Sequence, residues 1–179
     1  MIERMEKGID ILYRKYARDM FSYAVNLDVD RETAKDVVHD VFCKLYTEKR
    51  LLDNVTNVRA YLFQSVKNRL LDLYKSKRET LLPPDVNWED MPFSVEVSVE
   101  DEFIETEEHE LLRRKVEQLL SALTDRQREI IYLRYMQNLS YEEISEIMHI
   151  TSPACRKLLH KVISKLRQSN FMPLILLFL

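Results

Sequence analysis

The sequence predicts an all-α protein, and three observations carry that expectation. The chain holds one glycine, Gly8, in 179 residues, which leaves tight strand-to-strand turns without their usual residue. Apolar residues recur at three- and four-residue steps rather than alternating, which is the helical period. Two capping boxes, Thr124-Asp-Arg-Gln127 and Ser140-Tyr-Glu-Glu143, mark helix starts. In each, the hydroxyl can accept an orphan amide while the Gln or Glu reaches back to the first residue. With 46% hydrophobic and 32% charged residues, the composition suits a globular chain.

The first helix runs from Ile9 to about Leu27, through Leu12, Tyr13, Tyr16, Met20, Tyr23 and Ala24. Asp30 can cap a second helix, whose buried face is Ala34, Val37, Val38, Val41, Phe42 and Leu45. Asp36, His39 and Asp40 lie three and four apart, so they share one polar face of that helix. Residues 47–57 read as a loop. A third helix, Val58 to Ser76, has an apolar face of Ala60, Tyr61 or Leu62, Val66, Leu70, and Leu73 or Tyr74. Its outer side is expected to present Arg59, Gln64, Lys67, Asn68, Arg69 and Lys75. Basic residues interleaved with Tyr61, Phe63 and Tyr74 suit a single nucleic-acid strand, whose bases stack on rings while phosphates meet cations. Those rings can equally belong to the core.

The composition then flips. Glu79 to Glu110 holds twelve acids and no Lys or Arg, with Pro83, Pro84 and Pro92 breaking helical pattern. The net charge of −3 therefore hides a basic remainder, which the sum alone would conceal. An acidic tether of this kind can act as a spacer or occupy a basic groove in place of nucleic acid.

Helical pattern resumes at about Phe103 and runs to Leu120, and the Thr124 box starts a helix carrying Ile130, Ile131, Leu133 and Tyr135. The Ser140 box starts a short helix of Ile144, Ile147 and Met148. His149-Ile150 makes a turn, Thr151 caps a final helix, and Pro153 falls in its first turn, where a missing amide costs little. Leu158, Leu159, Val162, Ile163 and Leu166 form that helix's apolar stripe. No acid lies between Thr151 and Gln168. A helix-turn-helix places its second helix in the major groove with flanking cations on phosphates. The predicted organisation is two small helical domains, 1–78 and 106–170, joined by a flexible acidic linker, 79–105. An apolar tail, 171–179, follows; it is far shorter than the roughly 20 residues a bilayer span needs. Cys43 and Cys155 have no metal-type spacing and read as free thiols in a reducing compartment. There is no Gly-rich phosphate loop and no metalloprotease motif, so no catalysis and no cofactor are expected.

Three stretches together resemble one family. Ala34-Lys-Asp-Val-Val-His-Asp-Val-Phe-Cys-Lys-Leu-Tyr46 is similar to the polymerase-binding helix of bacterial extracytoplasmic-function sigma factors, members of the sigma-70 family. Val58-Arg-Ala-Tyr-Leu-Phe-Gln-Ser-Val-Lys-Asn-Arg-Leu-Leu-Asp72 looks like the helix with which they melt and read the minus-10 element. Leu123-Thr-Asp-Arg-Gln-Arg-Glu129 with Ser140-Tyr-Glu-Glu-Ile144 resembles their minus-35 domain. The resemblance implies that Asp36, His39, Asp40 and Phe42 dock on core RNA polymerase. It implies that Arg59, Tyr61, Gln64, Lys67, Asn68 and Lys75 face the non-template strand of promoter DNA, with a base flipped toward the 47–57 loop. Ser152, Arg156, Lys157, His160 and Lys161 would contact the minus-35 duplex. It further implies a cytoplasmic protein with an anti-sigma partner, which in this family is commonly membrane-tethered. His149 stands where Gly often makes the bend of the helix-turn-helix. A regulator that occupies an operator without polymerase would explain 124–167 but leave the first two stretches without a task.

Overall fold

A computed structural model describes residues 2–48, 51–78, 91–95, 114 and 116–168, and these are helical apart from short connections. The first unit is three helices, α1 (Ile2–Asn26), α2 (Arg31–Thr47) and α3 (Val58–Arg78), each packed on the other two. Asp30 caps α2 by accepting the Thr33 amide at 2.9 Å and the Thr33 hydroxyl at 2.7 Å. The Thr33 bonds hold the Asp30 carboxyl below its usual value. The six apolar positions of α2 picked by periodicity are the six that are buried. On α3 the choice between Tyr61 and Leu62 resolves to Leu62, fully buried, with Tyr61 half-buried at the rim. The Asn57 side chain accepts the Ala60 amide at 3.1 Å and starts α3.

In the second unit, residues 116–121 are helical, followed by α4 (Asp125–Ile131), α5 (Tyr141–Met148) and α6 (Ser152–Gln168). Both capping boxes form. The Gln127 amide donates to the Thr124 hydroxyl and the Thr124 amide to the Gln127 side chain, at 3.4 and 3.2 Å. The Ser140–Glu143 pair does the same at 3.1 and 2.7 Å. α4 does not continue as a regular α-helix: Tyr132–Met136 forms a π-helical turn closed by the Gln137 amide on the Tyr132 carbonyl at 3.0 Å. The wider turn lets the Gln137 side-chain amide donate to the buried Tyr132 hydroxyl at 2.9 Å.

The two units are not held apart. α3 packs along α5, and one apolar cluster runs from Met20 and Phe63 through Ile130 and Leu133 to Ile144. Part of the linker lies inside this contact. Met91 and Phe93 are buried, and the Phe93 ring sits 6.0 Å from that of Tyr23 and 5.5 Å from that of Tyr132. The Phe93 amide donates to Asp125 at 2.9 Å, its carbonyl accepts Arg128 Nε at 2.6 Å, and the Ser94 amide donates to the Asn26 carbonyl at 2.8 Å. Residues 91–95 therefore differ from the free tether expected of an acidic, proline-broken stretch, because the two apolar side chains there find a pocket between the units. The rest of that stretch, the helix start at Phe103 and the 171–179 tail lie outside the described residues.

Candidate nucleic-acid interface

The bend between α5 and α6 comes first, because it sets the direction of the basic helix. His149 adopts left-handed backbone geometry (φ 52°, ψ 44°), a region where His is tolerated better than most residues. The Ile150 amide then returns to the Ser145 carbonyl at 3.1 Å and closes the end of α5. Thr151 caps α6, taking the Ala154 amide on its hydroxyl at 3.3 Å. Cys155, Leu159 and Val162 are buried, which turns Arg156, Lys157, His160 and Lys161 outward as one exposed, acid-free face. Arg156 is not idle: it lies 5.3 Å over the Tyr141 ring and 3.8 Å from Glu142. Ser152 is half-buried, its hydroxyl 3.4 Å from that of Ser145. Pro153 stands exposed in the first turn.

On the first unit, Asp36, His39 and Asp40 are exposed along α2 as the spacing predicts. His39 Nε2 lies 3.3 Å from Cys43 Sγ, and the Asp40 carboxylate accepts Arg69 Nε and Nη2 at 3.0 and 2.8 Å. Phe42 departs from the expected docking role. It is buried, edge-on to Tyr13 at 4.9 Å, because it belongs to the apolar stripe of α2. Its effect on a docking face is to support Tyr13, which is itself half exposed.

Between α2, the turn after Thr47 and α3 lies a cleft of about 510 Å³. It brings together Tyr61, Gln64 and Asn68 from α3, Leu51 from the turn, and the Asp40–Arg69 pair. Lys75 is exposed further along the same helix. Arg59 and Lys67 do not join that cleft. Lys67 is only 1% exposed and pairs with Glu129 of α4 at 2.6 Å. It shares a helical face with Phe63, Leu70 and Leu71, so it is drawn inward rather than presented, as expected, on the outer side. Arg59 is held by Asp19 at 3.6 Å and by the Gln137 side-chain oxygen at 3.2 Å. Gln64, at the edge of the cleft, also donates to the Glu146 carbonyl at 3.3 Å.

The sequence reading did not single out Glu129. It accepts the Tyr23 hydroxyl as well as Lys67, both at 2.6 Å. Burial, and then the Glu129 charge, push the Tyr23 phenol well above its ordinary value. The signal was present: Glu129 is an acid one turn from Leu133 on the buried side of its helix. Among the described residues, no cluster of His, Cys, Asp and Glu could hold a metal ion.

A helix-turn-helix with an outward basic helix, joined to a helical unit that carries a polar cleft, defines a two-unit DNA-binding protein. Residues 12–80 match the family pattern of Sigma-70 region 2, and residues 113–166 match that of Sigma-70, region 4. The chain is 24% identical over 161 residues to the ECF RNA polymerase sigma factor SigM of Bacillus subtilis, covering 89% of this chain and 93% of that protein. It is 25% identical over 162 residues to the RNA polymerase sigma factor YlaC of the same organism, covering 90% and 91%. It is 29% identical over 166 residues to the RNA polymerase sigma-H factor of Pseudomonas aeruginosa, covering 83% and 80%. The chain belongs to the sigma-70 family, in its extracytoplasmic-function group, and is a non-enzymatic sigma factor that directs RNA polymerase in transcription initiation.

Proposed function

We propose a division of labour within this sigma factor. The outer face of α2, with Asp36, His39 and Asp40, docks on core RNA polymerase. The cleft beside it receives an unpaired base of the minus-10 non-template strand, with Tyr61 as a stacking surface and Gln64 and Asn68 as hydrogen-bonding partners. Lys75 supplies charge to that strand, whereas Arg59 and Lys67 are held by Asp19 and Glu129. The outward face of α6 enters the minus-35 major groove, where Arg156, Lys157, His160 and Lys161 meet bases and phosphates and Ser152 lies at the leading end. The observation that carries this reading is the cleft of about 510 Å³, which opens next to the exposed acidic face of α2. One unit could thereby hold polymerase and an extruded base at once.

The family likeness also supports an anti-sigma partner and a cytoplasmic site of action. Among the described residues, no helix is long and apolar enough to cross a membrane.

Co-elution with core RNA polymerase tests the docking face. The variant to use is Asp36→Arg with His39→Ala, since Asp40 is tied to Arg69 and its loss would also disturb the α2–α3 contact. The wild type should co-elute and the variant should run free. A wild type that ignores polymerase yet shifts duplex DNA alone would replace this reading with an operator-binding regulator.

A further inference from the structure

The cleft beside α2 is lined by two basic side chains, Lys44 and Arg69. Arg69 is the one anchored within it. Its Nε and Nη2 both donate to Oδ2 of Asp40, at 3.0 and 2.8 Å. Those two nitrogens form the side edge of the guanidinium. The end edge, made by Nη1 and the second hydrogen of Nη2, carries no other bond among the described residues. We propose that Arg69 selects the base that enters the cleft, and that Asp40 is the positioning residue that holds its guanidinium for that task. The inference rests on the reading of the cleft as the site of an extruded base, and adds which bases it takes.

The Asp40 and Arg69 side chains are 47% and 44% exposed, and an ion pair this open to water adds little to stability. Tying α3 to α2 is therefore a weak reason for the pair, and orientation is a stronger one. A guanidinium held in place before its ligand arrives loses less rotamer freedom on binding. The end edge offers two parallel N–H groups, which suit two adjacent acceptors on a base. Guanine presents such a pair at O6 and N7, and cytosine at N3 and O2. Adenine sets its amino group between N1 and N7, and thymine sets N3–H between O2 and O4. On either of these one arm of the fork would face a donor and forfeit the bond it keeps in water. Next to their paired acceptors, guanine and cytosine each carry an N–H that needs an acceptor of its own. The side-chain oxygens of Gln64 and Asn68 and the Asp72 carboxylate line the same cleft and can supply one. Lys44 brings charge without the planar fork. The cleft therefore favours guanine or cytosine over adenine or thymine.

The test uses the full chain reconstituted with core RNA polymerase, read by fluorescence anisotropy with core alone as the blank. The probes are fluorescein-labelled thymidine 20-mers whose central base is cytosine, guanine, adenine or thymine. The wild type should bind the cytosine and guanine probes at least about fivefold more tightly than the other two. Arg69→Lys keeps the charge and loses the fork, so it should bring all four probes to within about twofold of one another. Arg69→Gln repeats the test if circular dichroism shows Arg69→Lys to be unfolded. Asp40→Ala should lower the preference towards about twofold by releasing the guanidinium, and Asp40→Glu should restore it. A ratio between probes does not depend on how much chain is loaded on polymerase, so a docking defect in an Asp40 variant does not enter it.

A wild type that binds all four probes alike would overturn the proposal. So would a preference that survives Arg69→Lys, and one that Asp40→Ala leaves intact would remove the positioning role. Tyr61→Ala separates this inference from the one beneath it, since loss of the stacking ring should weaken all four probes. No effect of Tyr61→Ala on any probe would bring down the reading of the cleft and base selection together. Weaker binding in Tyr61→Ala, with the preference untouched in Arg69→Lys, would bring down base selection by Arg69 alone.

Discussion

His149 answers to two demands at once. Its left-handed backbone aims α6, and its ring edge lies 3.5 Å from the Gln64 side chain. Partial burial, and then the nearby Lys67 ammonium, hold its imidazole below the ordinary value, with Glu129 pulling the other way. The folded chain therefore takes up this proton less readily than the unfolded chain, in which His149 has its ordinary value. This contribution to stability is fully present above the ordinary histidine pKa and is lost as pH falls through the depressed one. The thermal midpoint of the wild type should accordingly be lower at about pH 5.5 than at about pH 8. A His149→Asn variant, which keeps a residue tolerant of left-handed geometry, should lose that dependence.

At the scale of the element, stability rests on ends as much as on faces. α5 is eight residues long, too short to persist on propensity alone, and its start depends on the reciprocal Ser140–Glu143 bonds. Ser140→Ala should cost about 1 kcal/mol, which for a chain of this size lowers the thermal midpoint by about 2–4 °C. Calorimetry reads that directly. α6 is a different case, because its outward face is built for a partner rather than for the fold. Lys157 has no structural task in the packed form beyond covering the helix, so Lys157→Ala should leave the midpoint unchanged. It should weaken binding of minus-35 duplexes about equally across sequences and reduce the slope of log affinity against log salt by about 1.

Across the whole molecule, the two units share one apolar cluster with Phe93 near its centre, 1% exposed. Burying an aromatic ring of this kind is worth several of the smaller contacts around it, so Phe93→Ala should destabilise the packed arrangement by about 3–5 kcal/mol. The loss falls on the contact between units rather than within either. Unfolding followed by circular dichroism should then change from one cooperative transition to two. A single, uniformly shifted transition would mean that Phe93 supports only one of the units.

The helices, their caps and the outward basic face of α6 were readable from the chain because each depends on neighbours three or four residues away. Thr124, Ser140 and Asp30 announce helix starts by local hydrogen bonding, and the α2 stripe from Ala34 to Leu45 announces its buried side by spacing. The same local logic made the bend at His149 readable. Lys67 and Phe93 were not readable, since charge and position on a polar-looking surface or in an acidic stretch argue for solvent. Only the packing of the first unit against the second supplies Lys67 with a carboxylate 62 residues away and Phe93 with the rings of Tyr23 and Tyr132. The sequence determined the parts and their outward chemistry, because those follow from local periodicity. Tertiary structure decided which of the charged groups face water, because burying a charge depends on a partner that local spacing cannot supply.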